Sequence, residues 1–199
     1  MADFPLTYTN VGGSSATVTP SSVEVELNSR TVRTTSISGR QQVRSFGTSY
    51  YVVTLNFPPL TEEDRAQVKA KLTTLRGGVN TFTIATKNFT DKKGSSSASE
   101  GIASSAAIGA TTVTMDNSNE FKPGEYIKFS NHTKAYQVIS HSGTTLTIEP
   151  PLQTAIADTD TVESGSNFTM TCRLADDNIS YTQGADGFSR IQFTAIEAV

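Results

Sequence analysis

Residues 50–78 read YYVVTLNFPPLTEEDRAQVKAKLTTLRGG, and this stretch decides the fold. Its first part has the alternating pattern of a strand. The apolar residues at the odd positions are Tyr51, Val53, Leu55 and Phe57, and between them at the even positions lie Tyr50, Val52, Thr54 and Asn56. Pro58-Pro59 ends the strand, since neither proline can donate a hydrogen bond to a sheet ladder.

A single helix is predicted directly after the two prolines. Thr61 can cap the free amides of a first turn whose acidic residues, Glu62, Glu63 and Asp64, suit the positive end of the helix dipole. The pattern predicts a helix to about Arg76, with Val68, Leu72 and Leu75 on one apolar stripe. Gly77-Gly78 supplies the left-handed stop that follows many helices. A helix with one apolar stripe packs most simply on the face of a sheet.

Two further strands flank a long excursion of the chain. Phe82 and Ile84 alternate with threonines, and the same alternation returns from Phe168 to Leu174. This similarity predicts that the two strands are neighbours in the main sheet and that residues 91–166 are inserted between them. The insertion begins with a Ser-rich stretch, residues 91–110, with the composition of a flexible connector. Short strands separated by turns follow, which are typical of a small barrel or sandwich.

The predicted fold is therefore mainly β. Residues 1–90 and 167–199 form a discontinuous antiparallel β-sandwich core with one packed α-helix. Residues 91–166 form an inserted small β-barrel or β-sandwich domain with its Ser-rich connector.

A cluster of arginines follows the first predicted strand, in which Val23, Val25 and Leu27 alternate with glutamates. The cluster consists of Arg30, Arg33, Arg40 and Arg44. One interpretation is a solvated sheet edge that discourages aggregation. The other is a contact between subunits of a ring, in which the guanidinium groups meet carboxylates of the next copy. The candidate carboxylates are Glu24, Glu26, Glu62 and Glu63.

The composition contains few residues of the types that usually catalyse reactions or bind cofactors. The 199 residues carry a net charge of −3 and contain one Cys and two His, which argues against nucleic acid as the main partner and against a Cys-based zinc site. Cys172 lies on the apolar face of its strand, and His132 and His141 are expected to be solvated turn residues. The acidic pairs Asp158/Asp160 and Asp176/Asp177 do not follow the pattern of a calcium loop. We expect a non-enzymatic protein without cofactor or metal.

No segment of the sequence predicts membrane insertion or export. The first residues lack the basic and apolar regions of a signal peptide, and no window approaches the length of apolar chain that spans a bilayer. We expect the protein to be made and used as a soluble cytosolic product.

The order of these elements resembles the distal tail and related baseplate proteins of tailed bacteriophages. The similarity covers the arginines of residues 30–44, the strand ending in Pro58-Pro59-Leu60, the acidic helix start at residues 61–64, and Leu72 to Gly77 followed by Phe82. The middle of the chain is similar to small β modules of phage tail proteins. It contains Lys122-Pro123-Gly124-Glu125-Tyr126-Ile127, Tyr136-Gln137-Val138 and Glu149-Pro150-Pro151-Leu152. Such modules often have Asp where this chain has Glu125.

The resemblance implies a structural virion protein of the tail tip. Members of this family are usually hexameric rings at the end of the tail tube, with a β-sandwich belt and a peripheral inserted domain. The implied partners are further copies of the same chain and other tail proteins, namely the tail tube, the hub and the fibres.

Two other classes of protein remain open from the sequence. One is a receptor- or glycan-binding adhesin, in which Tyr126 and Tyr136 would have to replace the missing tryptophans as stacking platforms. The other is a different connector of the same particle, such as a tail terminator or adaptor. An enzyme comes last, because the paired carboxylates of a hydrolase would have to converge from distant turns.

Overall fold

A computed structural model describes residues 3–96, 99–184 and 187–199, without the side chains of Phe46 and Thr48. The protein is mainly β, with antiparallel sheets and one main helix, which confirms the predicted fold class. The described residues form two compact units. The first contains the residues up to Glu26 together with Val52–Asp91 and Gly165–Val199. The second contains Leu27–Tyr51 and Lys92–Ser164.

The strands and helices follow one another in a simple order. The first half of the chain contains β1 (Leu6–Thr9), β2 (Ser15–Val18), β3 (Ser22–Thr35), β4 (Gln41–Asn56), α1 (Glu62–Thr74), β5 (Phe82–Ile84) and α2 (Lys87–Thr90). The second half contains β6 (Ser99–Gly101), β7 (Thr112–Thr114), β8 (Tyr126–Phe129), β9 (Ala135–Ser142), β10 (Thr145–Glu149), β11 (Thr161–Ser164), a 3-10 turn (Gly165–Asn167), β12 (Met170–Leu174), β13 (Tyr181–Gln183) and β14 (Ser189–Glu197).

The main sheet has the strand order β3-β4-β14-β12-β5, and β13 pairs with β14. The two strands that flank the excursion are antiparallel neighbours, with Met170 opposite Ile84 and Cys172 opposite Phe82. This register confirms the pairing predicted from their alternation. Because the pairing requires the chain to return to the same sheet, the long excursion begins and ends at the main sheet.

The interior of the first unit contains a cluster of aromatic rings. Phe4, Phe57, Phe82 and Phe193 contact one another with ring centroids 5.5–6.0 Å apart. Such edge-to-face and stacked pairs add about 0.5–1.5 kcal/mol each to the free energy of burial. The helix residues Val68, Leu72 and Leu75 are buried as well.

The helix α1 begins as the sequence predicts. The Thr61 hydroxyl accepts a hydrogen bond from the Asp64 amide at 3.3 Å. The helix ends slightly before Arg76, because Arg76 itself has a positive φ of 51° and Gly77 a φ of 66°. The Arg173 guanidinium donates to the carbonyl oxygens of Gly78 and Val79 and so satisfies acceptors just past the helix end.

The second unit contains a small closed β-barrel. Its strand order is β6-β11-β8-β9-β10-β7, and a bridge between Ile102 and Met115 joins the two ends of this sheet. The Ala103 amide strengthens the closure by donating to the Thr114 carbonyl oxygen at 2.9 Å. The interior is filled with aliphatic and aromatic side chains, among them Ile127, Phe129 and Leu146. A closed sheet leaves no unpaired edge within the barrel itself.

Two features of the excursion differ from the sequence-based description. The predicted boundaries put residues 27–51 with the first domain, whereas the compact units place them with the barrel. The composition of the Ser-rich stretch predicts a flexible connector, but backbone hydrogen bonds fix its start. The Lys93 and Gly94 amides donate to the Glu125 carboxylate. The Ser96 amide donates to the Glu120 carbonyl oxygen. Ser97 of this stretch, and Ala185-Asp186 of the predicted last turn, lie outside the described residues.

No helix in the described part of the chain has both the length and the apolar character needed to cross a bilayer.

Candidate subunit-contact site

The candidate site is a long β-hairpin made by β3 and β4. We call residues 27–51, the part of this hairpin that belongs to the second unit, the arm. In the sequence, residues 31–37 and 42–46 are rich in β-branched or apolar side chains around Gly39, which predicts extended segments and a turn. The structure includes these segments in two continuous strands of 14 and 16 residues. The arm is thus one ribbon rather than several short pieces.

The turn at the end of the arm is closed by Ser36. Its amide donates to the Arg40 carbonyl oxygen at 2.9 Å, and its carbonyl oxygen accepts from the Gly39 amide at the same distance. Gly39 has a φ of 79°, a conformation that side-chain-bearing residues rarely adopt. The turn therefore holds Arg40 at the tip of the arm.

Most of the arm is in contact with water on both faces. Every side chain from Glu26 to Ser45 is exposed, including the apolar side chains Leu27, Val32, Ile37 and Val43. A two-stranded ribbon with no packed face is marginally stable in water. The arm thus presents backbone and apolar surface that the described part of its own chain does not cover.

The arm is strongly basic. It contains four arginines and no Asp, Glu or Lys, so it carries +4 in a chain with a net charge of −3, which leaves −7 for the remaining residues. Arg30 and Arg33 lie on β3, Arg40 lies at the turn and Arg44 lies on β4. Among the described residues, none of these four guanidinium groups forms an ion pair. The structure therefore brings the predicted cations together on one exposed element.

The predicted carboxylates lie on two other parts of the chain. Glu24 and Glu26 are exposed at the start of β3, on the same face of that strand as Arg30 by alternation. Glu62 and Glu63 lie in the first turn of α1. Glu63 already accepts a hydrogen bond from the Val11 amide at 2.7 Å, whereas the Glu62 side chain is 90% exposed.

Within one copy, Glu62 and Glu63 lie on a different element from the arginines, whereas Glu24 and Glu26 share β3 with two of them. Their meeting across two copies stays a prediction.

Some side chains at the base of the arm were not singled out from the sequence. The Tyr51 ring meets the Tyr126 ring edge-on at 5.6 Å, and the Lys134 ammonium lies 5.1 Å from the centre of the Tyr51 ring. The side-chain amide of Gln153 donates from Nε2 to the Ser49 carbonyl oxygen at 3.3 Å. A buried lysine and a loop glutamine belong to no sequence motif, so only the three-dimensional structure identifies them.

The two histidines are structural groups rather than solvated turn residues, so that prediction is wrong. His132 Nε2 lies 2.9 Å from the Tyr136 hydroxyl, and His141 Nδ1 accepts from the amides of Glu120 and Phe121. Burial lowers the pKa of both imidazoles. His141 binds the backbone of residues 120–121, and His132 contacts the side chain of Tyr136.

The other candidate groups have local structural partners. Asp160 accepts from the Ala157 amide at 2.8 Å, and Asp177 accepts from the Gly78 amide at 3.2 Å. Burial, followed by the charge of Glu197, raises the pKa of the Cys172 thiol. Tyr136 is fully buried, which removes it as a stacking platform for a sugar. Within residues 3–96, 99–184 and 187–199, no three His, Cys, Asp or Glu side chains are grouped so as to hold a metal ion.

No protein-family model matches the chain, and comparison with curated proteins finds no match.

Proposed function

We propose that this protein is a structural component of a phage virion, a non-enzymatic subunit of the distal tail or baseplate hub ring that joins the tail tube to tip or fibre proteins. The order of the sequence elements supports this role through its resemblance to that family. The exposed basic arm supports it independently, because an assembly protein needs surface that is completed by a neighbour.

The arm is the observation that carries the proposal. Ordering an uncovered ribbon costs conformational entropy that its own packing does not recover. Contact with a neighbour supplies the missing burial for Leu27, Val32 and Val43 and gives the four arginines their counter-charges. The arm is therefore the subunit-contact element of the ring.

The charges favour a second copy of the same chain as the occupant. The arm carries +4 and the rest of the chain −7, so each copy brings both members of an attractive pair. The contact that we propose is heterologous: the arm of one copy meets the carboxylates of the next. Repeating such a contact closes a ring when the rotation between copies is a whole fraction of a turn.

Native mass measurement of the purified chain tests the proposal. The expected result is a closed hexamer. A stable monomer or an isolated trimer across the concentrations of the measurement argues against the hub ring, and binding of isolated chains to a glycan array would instead favour an adhesin.

A further inference from the structure

Among the contacts between the barrel and the base of the arm are those of Tyr126, Lys134 and Gln153. Tyr126 begins β8, Lys134 immediately precedes β9, and Gln153 follows β10, so the three contacts come from different parts of the closed sheet. They reach the last residues of the arm, the carbonyl oxygen of Ser49 and the ring of Tyr51. We call these the arm-base contacts.

The residues Tyr51 and Lys134 of the arm-base contacts are buried, whereas most of the arm is exposed. Tyr51 is 2% exposed and Lys134 is 1% exposed, although every side chain from Glu26 to Ser45 is exposed. Placing a lysine in a buried position is costly unless the ammonium group is compensated. A cation over an aromatic face recovers part of that cost when both groups are desolvated. The arrangement is therefore specific to this position of the arm.

A closed barrel is a rigid support for a ribbon that has no packed face. Contacts confined to one end of a ribbon leave its length free but limit the angle at which it leaves the support. In a ring, every contact must have the same angle, because a spread of angles gives open or mixed assemblies. Closure of the ring therefore depends on the direction of the arm.

We propose that the barrel serves to set the direction of the arm, and that Tyr51, Tyr126, Lys134 and Gln153 are positioning residues for the subunit contact. This inference rests on the proposed role of the arm in assembly. In this proposal the inserted barrel orients an element of its own chain.

The test measures the direction of the arm within one chain. Spin labels are placed at Ser38→Cys, on the exposed turn of the arm, and at Thr145→Cys, on the exposed end of β10. The native Cys172 thiol is fully buried and does not take up the label. Electron–electron resonance on labelled chains diluted with unlabelled protein then gives the distribution of distances between the two labels.

Two variants and a matched control are compared with the wild type. Lys134→Met combined with Gln153→Ala removes two of the arm-base contacts, while methionine preserves apolar volume in the buried position. Gln153→Ala alone leaves the barrel interior intact, and it replaces the double variant in the comparison if the double variant does not fold. Lys128→Met removes a lysine of the same barrel that pairs with Glu163 at 3.0 Å, so it is the control.

We expect a narrow distance distribution in the wild type and the control, and a distribution about twofold broader in the double variant, because an arm and a barrel joined by fewer contacts sample more relative directions. Gln153→Ala alone should broaden the distribution by a smaller factor. Equal widths in all four proteins, or a broad distribution in the wild type, would overturn the proposal. The measurement does not depend on ring formation, so a monomeric wild type with a narrow distribution contradicts the proposed function and not the role of the barrel.

Discussion

The Glu125 carboxylate accepts a hydrogen bond from the Gly94 amide, 31 residues earlier in the chain. The same oxygen accepts from the Lys93 amide, and the second carboxylate oxygen accepts from the Lys122 amide at 3.3 Å. Glu125 is 3% exposed, so these amides satisfy a buried charge. The Ser-rich stretch is consequently bound to the barrel at its start.

Replacing Glu125 should release this stretch and destabilise the barrel. Glu125→Ala leaves the amides of Lys93 and Gly94 without their acceptor, and we expect the free energy of unfolding in urea to fall by about 1–3 kcal/mol. Hydrogen exchange at these two amides should accelerate. The control is Glu149→Ala, which removes an exposed glutamate from β10. Equal losses of stability in the two variants would show that the carboxylate does not hold the stretch.

A methyl group at Gly94 should also be harmful. A Cβ built at this position collides with the Glu120 carbonyl oxygen and comes within 3.1 Å of the Phe121 Cα atom. Since backbone atoms cannot move aside easily, Gly94→Ala should cost about 1–3 kcal/mol of the free energy of unfolding. Gly12→Ala is the matched control, because its nearest neighbour is the Asn10 side-chain oxygen at 3.4 Å, an ordinary contact. A neutral or stabilising effect of Gly94→Ala would contradict the close approach.

The two histidines should titrate below the ordinary imidazole pKa of 6.5, because burial disfavours their charged form. Nuclear magnetic resonance of the imidazole Cε1 protons checks this, with His132→Gln assigning the two signals. A pKa at or above 6.5 for either residue would contradict its buried, neutral role.

These shifts also fix the sign of the pH dependence of stability. Below pH 6.5 the unfolded chain takes up protons that the folded imidazoles do not, so the histidine contribution to stability is lost as the pH falls from 6.5 through the lowered folded pKa values. Glu120 acts in the opposite sense, since its hydrogen bond to Glu100 raises the pKa of its carboxyl above 4.5. The comparison of wild type with His132→Gln isolates one histidine from the total.

The parts of the fold that the sequence predicts are those where burial differs between two faces. The strand around Leu55, the start of α1 at Thr61 and the pairing of Phe82 with Cys172 all follow from apolar side chains at regular spacing. Most of the arm is in water on both faces, so no such contrast exists there, and residues 31–46 show only weak separate segments in the sequence although they belong to the long strands β3 and β4 and their turn.

At the candidate site, composition reveals the cluster of arginines but not the contacts between residues far apart in the chain. The arginines stand out as a local excess of charge, which is a property of neighbouring residues in sequence. The contacts of Tyr51 with Lys134, and of Gly94 with Glu125, join residues far apart in the chain. Serine-rich composition is typical of a flexible connector, but it carries no information about a distant carboxylate that binds the backbone amides.

The most direct test of the account is the mass of the assembly when the arm charges are reversed. Mass photometry and sedimentation compare the wild type with Arg33→Glu/Arg44→Glu and with Lys87→Glu/Lys92→Glu, which changes the net charge equally at exposed lysines outside the arm. We expect a hexamer for the wild type and the lysine control, and dissociated but folded chains, with an unchanged circular dichroism spectrum, for the arm variant. An arm variant that assembles as the wild type does would contradict the arm as the subunit contact.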